Sequence, residues 1–192
     1  MENRKIIKVD IDGVLRDMLS TMCSIYNESY DDNIRPCDVN EYDVDKTFTK
    51  CNDISGMSAK RFFFYEFSYH LCIHSEIIDK AKEAMDMLYD LGYYILIVSY
   101  QKDYNSKQYT LEWLHMHDIY YDSICFTDRK DLIYGDIVID DNPEFLEICD
   151  ESEKILIDAP YNRDENRFKR FSSLYDYVLT LKEKEICGGY LD

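Results

Sequence analysis

The chain has 192 residues, of which 46% are hydrophobic, and a formal net charge of −17 at pH 7. This length suits one domain, or one domain with a modest insertion. The phosphates of duplex nucleic acid repel a chain this acidic, which excludes a DNA-binding module and predicts no nucleic acid polymer as a partner.

The sequence carries no signal for a membrane or for secretion. No stretch approaches the ~18 consecutive apolar residues of a membrane-spanning helix. Residues 1–5 lead straight into a short apolar run instead of a signal peptide. The seven cysteines are widely spread and form no C-x-x-C pair, which favours reduced thiols. We therefore expect a cytoplasmic protein without a membrane partner.

Short apolar runs predict the strands of a sheet. Residues 5–11 and 93–98 indicate two buried strands, and residues 123–126, 136–139 and 154–157 indicate three shorter ones. Continuous runs of Ile, Val and Leu favour a parallel sheet that is covered on both faces.

Helical patterns fall between these strands. Residues 77–91 place apolar side chains at i, i+3, i+4 and i+7 before Gly92, and residues 109–116 form a second pattern. Asn142 and Pro143 are typical of a helix start, and residues 173–176 resemble a capping box before the last helix. The alternation predicts an α/β fold, a Rossmann-like parallel sheet flanked by helices.

One long connection does not fit this alternation. The sixty or so residues before position 76 contain helical patches and no convincing strand, and so long a connection is typical of an inserted unit. We expect a core domain of residues 1–16 and 76–182, a small mainly helical cap of residues 17–75 inserted after the first strand, and a C-terminal tail of residues 183–192.

Carboxylates follow two of the predicted strands. Asp10 and Asp12 lie at the end of the first strand, before Gly13. Open α/β sheets bind ligands at the ends of their strands, although Asx-turns would also explain the pair. Asp140 and Asp141 close another apolar strand. If the two strands are neighbours, the carboxylates converge and require a counter-ion. An all-oxygen cluster of this kind is the ligand set that Mg²⁺ prefers.

Two further residues suit a phosphate group. Ser99 follows the strand of residues 93–98, and Lys130 follows the short strand that ends at Phe126. A hydroxyl and a cation at this edge could bind phosphate oxygens. Taken singly, Ser99 is also compatible with a turn and Lys130 with a solvated surface cation, and Arg129 competes with Lys130 for the role.

The order of these motifs resembles the haloacid dehalogenase-like phosphatase superfamily. Residues 10–15 (DIDGVL) match its first motif, Ser99 the second, Lys130 the third and residues 139–141 (IDD) the fourth. Residues 130–143, residues 155–163 (ILIDAPYNR) and residues 61–64 (RFFF) followed by the 77–91 helix resemble the 5′(3′)-deoxyribonucleotidase branch, the type C pyrimidine 5′-nucleotidases. The likeness extends over residues 5–181.

The resemblance implies a role for each motif residue. Asp10 would attack phosphorus and form an aspartyl-phosphate, and Asp12 would act as general acid and then general base. Asp10, the backbone carbonyl of Asp12, and Asp141 would hold Mg²⁺, with Asp140 supporting the site. Ser99 and Lys130 would bind phosphate oxygens.

The resemblance implies a Mg²⁺-dependent phosphomonoesterase that acts as a 5′-nucleotidase on (deoxy)nucleoside monophosphates. A small phosphorylated molecule is thus the expected partner, and a homodimer is left open. A phosphatase of another small phosphoester, such as a sugar phosphate, and a catalytically silent binding protein on this fold are the alternatives. Phe63 and Phe64 are candidates for stacking on a base, although aromatic residues at helical spacing also pack a cap.

The chain departs from the family's pattern at two places. Ser99 is followed by Tyr100 and Gln101, where the family often shows a small or hydroxyl residue and then Pro. Arg16 replaces a small residue before Asp17. Both changes are expected to lie near the substrate.

Overall fold

A computed structural model describes residues 4–188 of the chain, with side chains as far as residue 185. Its sheet contains β1 (Ile6–Val9), β2 (Tyr94–Ser99), β3 (Ser123–Phe126), β4 (Ile137–Asp140), β5 (Glu153–Ile157) and β6 (Lys169–Phe171). The strands are all parallel and lie in the order β3-β2-β1-β4-β5-β6. The predicted α/β fold is confirmed.

The helices are α1 (Met18–Tyr30), α2 (Val44–Thr47), α3 (Lys50–Ser55), α4 (Ala59–Arg61), α5 (Ser68–His74), α6 (Ala81–Asp90), α7 (Tyr104–Met116), α8 (Pro143–Ile148) and α9 (Leu174–Gly188). Short 3-10 turns lie at Pro36–Asp38, Lys130–Leu132 and Pro160–Asn162, and a π-helical turn at Phe62–Glu66. Asn142 caps α8, accepting from the Glu144 N–H as its position before Pro143 predicts.

Strand β1 lies at the centre of the sheet, between β2 and β4. Val9 is level with Ile97 on one side and with Ile139 on the other. Residues that follow β1, β2 and β4 therefore meet at one edge. The sequence did not predict β6, because its three residues, Lys-Arg-Phe, lie at the edge of the sheet and form no apolar run.

Helix α6 begins later than the apolar spacing of residues 77–91 predicts. Lys80 has a φ of +58°, so the helix starts only at Ala81. The preceding residues pair with backbone instead: Ile78 N–H donates to Leu15 O at 2.8 Å, and Ile77 forms an isolated bridge with Arg16. These contacts join the two ends of the segment between β1 and α6 to each other.

The buried apolar side chains form separate clusters. The largest lies around the sheet and includes Ile7, Ile97, Trp113 and Ile155. A second belongs to the segment between β1 and α6 and is rich in Met, Cys and aromatic residues. The helical segment thus has an apolar interior of its own, which Met22, Phe48 and Phe63 help to form.

The C-terminal residues are partly helical. Helix α9 continues to Gly188, so residues 183–188 of the expected tail extend this helix, and residues 189–192 lie outside the described residues. The six cysteines with described side chains carry free thiols. None of the helices within residues 4–188 has the length and apolar run that crossing a bilayer requires.

Candidate active site

Asp10 occupies the central position at the carboxyl edge of the sheet. It follows β1, and its N–H donates to Ile139 O at 3.0 Å, which ties it to the end of β4. Its side chain is buried, with 8% of the residue exposed. The predicted nucleophile is therefore fixed between the ends of β1 and β4.

Lys130 lies against two of the carboxylates. Its Nζ is 3.1 Å from Asp10 Oδ2 and 2.6 Å from Asp140 Oδ2, and the residue is almost fully buried. The Phe145 ring covers the ammonium with its centroid at 4.4 Å. Burial disfavours the charged form, but Asp10 and Asp140 outweigh it and raise the pKa of Lys130 above its ordinary value. Arg129, the competing cation, is exposed and pairs with Asp131.

Asp10, Asp140 and Asp141 form one compact group. Each offers a carboxylate oxygen, and these atoms lie within 4.8 Å of one another. Burial raises the pKa of Asp10 to about 7, with Lys130 opposing the shift. Burial and the neighbouring carboxylates also raise the pKa of Asp141 well above its ordinary value. Ionised carboxylates at this edge therefore need more positive charge than Lys130 supplies.

These residues fit a divalent cation with oxygen ligands. Asp10 Oδ1 is buried and has no hydrogen-bond partner within the described part of the chain. Asp140 is different: Oδ2 contacts Lys130, and Oδ1 accepts from the Asn142 N–H at 2.9 Å. Both Asp140 oxygens are thus engaged by the protein, which favours a supporting position for this residue and leaves Asp10 and Asp141 as the better ligands.

The Asp141 carboxylate is positioned by the turn that follows β5. Tyr161 Oη donates to Asp141 Oδ2, and Asn162 Nδ2 donates to Asp141 O at 2.7 Å. The Tyr42 ring, from the segment between β1 and α6, lies edge-on to Tyr161 with ring centroids 5.5 Å apart. The sequence interpretation did not single out Tyr161 as a contact of the acidic group, although the turn that carries it was noted as part of the resemblance.

Gly13 permits the close approach of Asp141. Its φ is +79°, and a Cβ built on it would lie 1.8 Å from Asp141 Oδ2. Any side chain at this position would therefore displace the carboxylate as well as strain the backbone. The glycine of the first motif thus makes room for an acid of the fourth motif.

Asp12 has a different environment from Asp10. Its side chain is 26% exposed, and both of its oxygens accept hydrogen bonds. Oδ1 accepts from Arg16 Nε at 2.7 Å, and Oδ2 accepts from Gln101 Nε2 at 2.9 Å. Arg16 and Gln101 are the two places at which the sequence departs from the family's pattern, and the structure brings them together.

Ser99 is the last residue of β2, at the same edge of the sheet as the acidic group. It is almost fully buried, and its Oγ lies 3.4 Å from Gln101 Nε2. The hydroxyl is therefore linked to the Asp12 carboxylate through one side chain.

Lys8 supports the site from behind. This buried lysine in β1 donates from Nζ to Lys130 O at 2.9 Å and to Ile133 O at 2.8 Å, and it pairs with Glu151. It therefore holds the turn that carries Lys130. Sequence reasoning missed this role, although a lysine within a buried strand is itself a signal that a specific partner is present.

The two aromatic candidates lie within or against the apolar cluster of the inserted segment. Phe63 is fully buried and packs edge-on against Phe48 and Phe62, with ring centroids 4.9 Å and 5.1 Å away. This packing leaves Phe63 as a core residue without an open face, which argues against the stacking role expected for it. Phe64 is half-buried, and its stacking role stays a prediction.

Solved structures define the class of this fold. A hydrolase from Streptococcus pneumoniae superposes with a TM-score of 0.58 at 15% identity and covers 93% of this chain and 98% of its own. A haloacid dehalogenase-like family hydrolase from Xanthomonas campestris gives a TM-score of 0.54 at 13% identity, with 97% and 98% covered. The chain has the fold of the haloacid dehalogenase-like hydrolases.

Sequence comparisons identify the branch within this class. Residues 4–186 match the family model described as 5′ nucleotidase, deoxy (Pyrimidine), cytosolic type C protein, and the chain belongs to this family. It is 28% identical to the 5′(3′)-deoxyribonucleotidase of Clostridium acetobutylicum over 177 residues, 91% of this chain and 93% of that protein. The Bacillus subtilis 5′(3′)-deoxyribonucleotidase is also 28% identical, over 169 residues, 87% and 92% of the two chains. The predicted enzyme class, a phosphoric monoester hydrolase of the 5′-nucleotidase type, is confirmed.

Proposed function

We propose that this protein is a Mg²⁺-dependent 5′-nucleotidase that dephosphorylates (deoxy)nucleoside monophosphates through an aspartyl-phosphate on Asp10. The observation that carries the proposal is the state of the Asp10 carboxylate. One oxygen contacts Lys130, and the other is buried without a partner within residues 4–188. Such a carboxylate can serve both as a ligand and as a nucleophile once positive charge is present.

The first step transfers the phosphoryl group to the protein. An Asp10 oxygen attacks phosphorus, the bond to the ester oxygen breaks, and Asp12 gives its proton to that leaving oxygen. Ser99 Oγ and Lys130 Nζ bind phosphate oxygens and offset the charge of the transition state. Asp10, the backbone carbonyl of Asp12, and Asp141 would hold Mg²⁺, which would supply the positive charge that an anionic nucleophile and an anionic substrate require.

The second step releases phosphate. Asp12, now ionised, takes a proton from a water molecule as the water oxygen attacks the phosphorus of the aspartyl-phosphate. The bond between phosphorus and the Asp10 oxygen breaks, and Asp10 is restored. Asp140 supports both steps by fixing Lys130 Nζ at 2.6 Å.

The inserted segment suits the role of a cap in this proposal. Residues 17–75 would form the cap over a phosphatase core of residues 1–16 and 76–182. The two parts are in contact: Tyr42 lies edge-on to Tyr161, which donates to Asp141, and Arg163 Nη1 donates to Cys37 O at 3.4 Å. A cap here would exclude water and favour small phosphoesters over phosphoproteins.

Two further properties bear on the proposal. The family is described as cytosolic, and we place this protein in the cytoplasm on that ground. The homodimer left open above is tested by light scattering on the purified protein.

The experiment is a substrate panel measured with Mg²⁺ and with EDTA. The panel holds ribo- and deoxyribonucleoside 5′- and 3′-monophosphates together with sugar phosphates. We expect turnover of nucleotides that EDTA abolishes and Mg²⁺ restores. Faster turnover of sugar phosphates would overturn the nucleotidase assignment, and a wild-type protein inactive on every phosphoester would indicate a silent binding protein.

The intermediate is tested with substrate that carries a radiolabelled phosphoryl group. Acid quenching should leave label on the wild-type protein, labile to base as an acyl phosphate is, and none on Asp10→Asn. Asp90→Asn is the matched control, because Asp90 is an exposed aspartate at the end of α6. Labelling of Asp10→Asn at the wild-type level would refute the nucleophile.

A further inference from the structure

Both oxygens of the Asp12 carboxylate are fixed, and by donors of different kinds. Two nitrogens of the Arg16 guanidinium, Nε and Nη2, each lie 2.7 Å from Oδ1. Oδ2 accepts instead from a neutral amide, Gln101 Nε2, at 2.9 Å. Oδ1 receives two nitrogens of a charged, planar group, whereas Oδ2 receives one neutral donor, so Oδ1 is the more firmly held oxygen.

The Arg16 guanidinium is itself immobilised. The residue is 0% exposed. Nη1 donates to Cys72 O at 2.9 Å, and Nη2 donates to Thr110 Oγ1 at 3.3 Å. The Trp113 ring lies under the guanidinium carbon at 5.3 Å. Contacts with α5 and α7 therefore fix the group that fixes Asp12, an arrangement that locks a side chain to a small range of orientations.

Gln101 connects Asp12 with the phosphate side of the site. The residue is 7% exposed, and its amide nitrogen reaches Ser99 Oγ at 3.4 Å as well as Asp12 Oδ2. A glutamine amide has both a donor and an acceptor end, so it can pair with a carboxylate oxygen whether or not that oxygen carries a proton. Gln101 is thus suited to a partner that gains and loses a proton during the reaction.

We propose that Arg16 and Gln101 are positioning residues for Asp12, with Arg16 anchoring Oδ1 so that Oδ2 exchanges the proton. The inference rests on the proposed function. In the first step the proton on Oδ2 passes to the ester oxygen as the bond between phosphorus and that oxygen breaks. In the second step Oδ2 takes the proton of the attacking water. The two departures from the family's pattern thereby act on one carboxylate.

The test uses two substrates that differ in their need for an acid. A nucleoside monophosphate releases an alcohol and requires protonation of the leaving oxygen, whereas p-nitrophenyl phosphate releases a stable phenolate and does not. The quantity to compare is kcat/KM, because it reports steps only as far as departure of the leaving group. A purely structural defect would lower kcat/KM for both substrates alike.

Gln101→Met is the main variant, since it keeps the buried volume and removes the amide. We expect kcat/KM for the nucleotide to fall about 10- to 100-fold, part of the roughly 10²- to 10⁴-fold effect of a general acid. The value for p-nitrophenyl phosphate should stay within about threefold, less than one half-unit of log rate. Gln108→Met is the matched control, because Gln108 is exposed on α7.

Arg16→Met should show the same selective loss, and Arg16→Lys should recover part of it by restoring the charge without the guanidinium fork. Arg4→Met is the control for removing an arginine that is paired with an aspartate, since Arg4 contacts Asp122 away from the site. Circular dichroism identifies a variant that fails to fold. Gln101→Met still carries the test if Arg16→Met is unfolded.

The decisive comparison combines Gln101→Met with Asp12→Asn in one double variant. Asp12→Asn alone should show the largest selective loss, and adding Gln101→Met to it should change kcat/KM for the nucleotide little further, because a positioning residue acts only through its partner. An equal loss on both substrates, or an undiminished effect in the Asp12→Asn background, would overturn the inference. Failure of the proposed function is recognised separately, by an inactive wild type or an active Asp10→Asn.

Discussion

The two ends of the sheet hold aspartates in opposite electrostatic settings. At the amino end, Asp122 accepts from the Ile95 N–H at 2.8 Å and from two nitrogens of Arg4, at 3.0 and 3.1 Å. Burial opposes ionisation there, but these donors outweigh it and lower the pKa of Asp122. At the carboxyl end, burial raises the pKa of Asp10 and of Asp141.

The difference lies in the donors that reach each carboxylate. Asp122 and Asp136 each accept a backbone N–H from a neighbouring strand, of Ile95 and Ile6 respectively. Asp10 Oδ1 has no such donor among the described residues. A buried carboxylate oxygen without a donor is costly to the fold, and such costs are typical of functional sites. Substitutions at either end of the sheet test this difference.

The largest effect is expected from Gly13→Ala. The added Cβ would meet Asp141 Oδ2 at 1.8 Å, so the carboxylate must move and the acidic group is dispersed. We expect kcat/KM with Mg²⁺ to fall by about 10³-fold or more, beyond the effect of losing one electrostatic contact. Gly92→Ala is the matched control: its φ is +76°, but a Cβ added there would have no atom within 4 Å. Wild-type activity in Gly13→Ala would contradict the account.

Lys130→Met should have the next largest effect. It removes the cation between Asp10 and Asp140, at 3.1 and 2.6 Å, and the expected loss in kcat is about 10²- to 10³-fold. Lys169→Met, which removes a surface lysine paired with Glu153, is the control. The measurement is kcat from steady-state kinetics on folded protein, and an unchanged kcat would show that Lys130 takes no part in the mechanism.

Asp122→Ala should weaken the fold and leave the chemistry alone. The Ile95 N–H loses its acceptor, which typically costs about 1–3 kcal/mol. Because the folded-state pKa of Asp122 is lowered, its contribution is present above the unfolded-state pKa and is lost as the pH falls. The free energy of unfolding measured in urea should therefore be lowered by the full amount at about pH 7 and by less near pH 3. A loss of stability that grows as the pH falls would contradict a lowered pKa of Asp122.

Asp141→Asn should have the smallest effect on the stability of the fold, and it should stabilise the protein where Asp122→Ala destabilises it. The folded-state pKa of Asp141 is raised, so the stabilisation that its neutral form provides is lost as the pH rises through that pKa. In EDTA, the variant should melt about 2–4 °C above wild type near pH 8, the shift that about 1 kcal/mol produces, and the gap should narrow near pH 5. Mg²⁺ should raise the melting temperature of wild type only. A variant that melts below wild type at every pH would contradict this.

The sequence predicted most strands of the sheet. Continuous apolar runs identified β1 to β5, and the polar residues that follow them lie at the predicted edge, because parallel strands share one polarity. It could not predict β6, whose three residues are too few for a pattern. The start of α6 was wrong because Ile77 and Ile78 pair with residues of the first loop.

The contacts around the candidate site were less accessible from sequence. Arg16 and Gln101 were noticed as departures, but their meeting at Asp12 depends on the fold, since Gln101 and Asp12 are 89 positions apart. Phe63 was proposed from its place in an aromatic run, and such a run does not tell a buried ring from an exposed one. Local pattern predicts the elements, whereas these contacts arise only when the strands assemble.

Lys8 has a consequence for redesign of this protein. Its ammonium has three N–H groups, and its oxygen partners are Lys130 O, Ile133 O and Glu151. Gly135 completes the packing, because a Cβ there would lie 2.8 Å from Lys8 Cγ. The length of the loop from Lys130 to Gly135 is thereby fixed, and insertions in it should uncouple the third motif from the sheet. Libraries that aim at new substrates should therefore leave this loop intact.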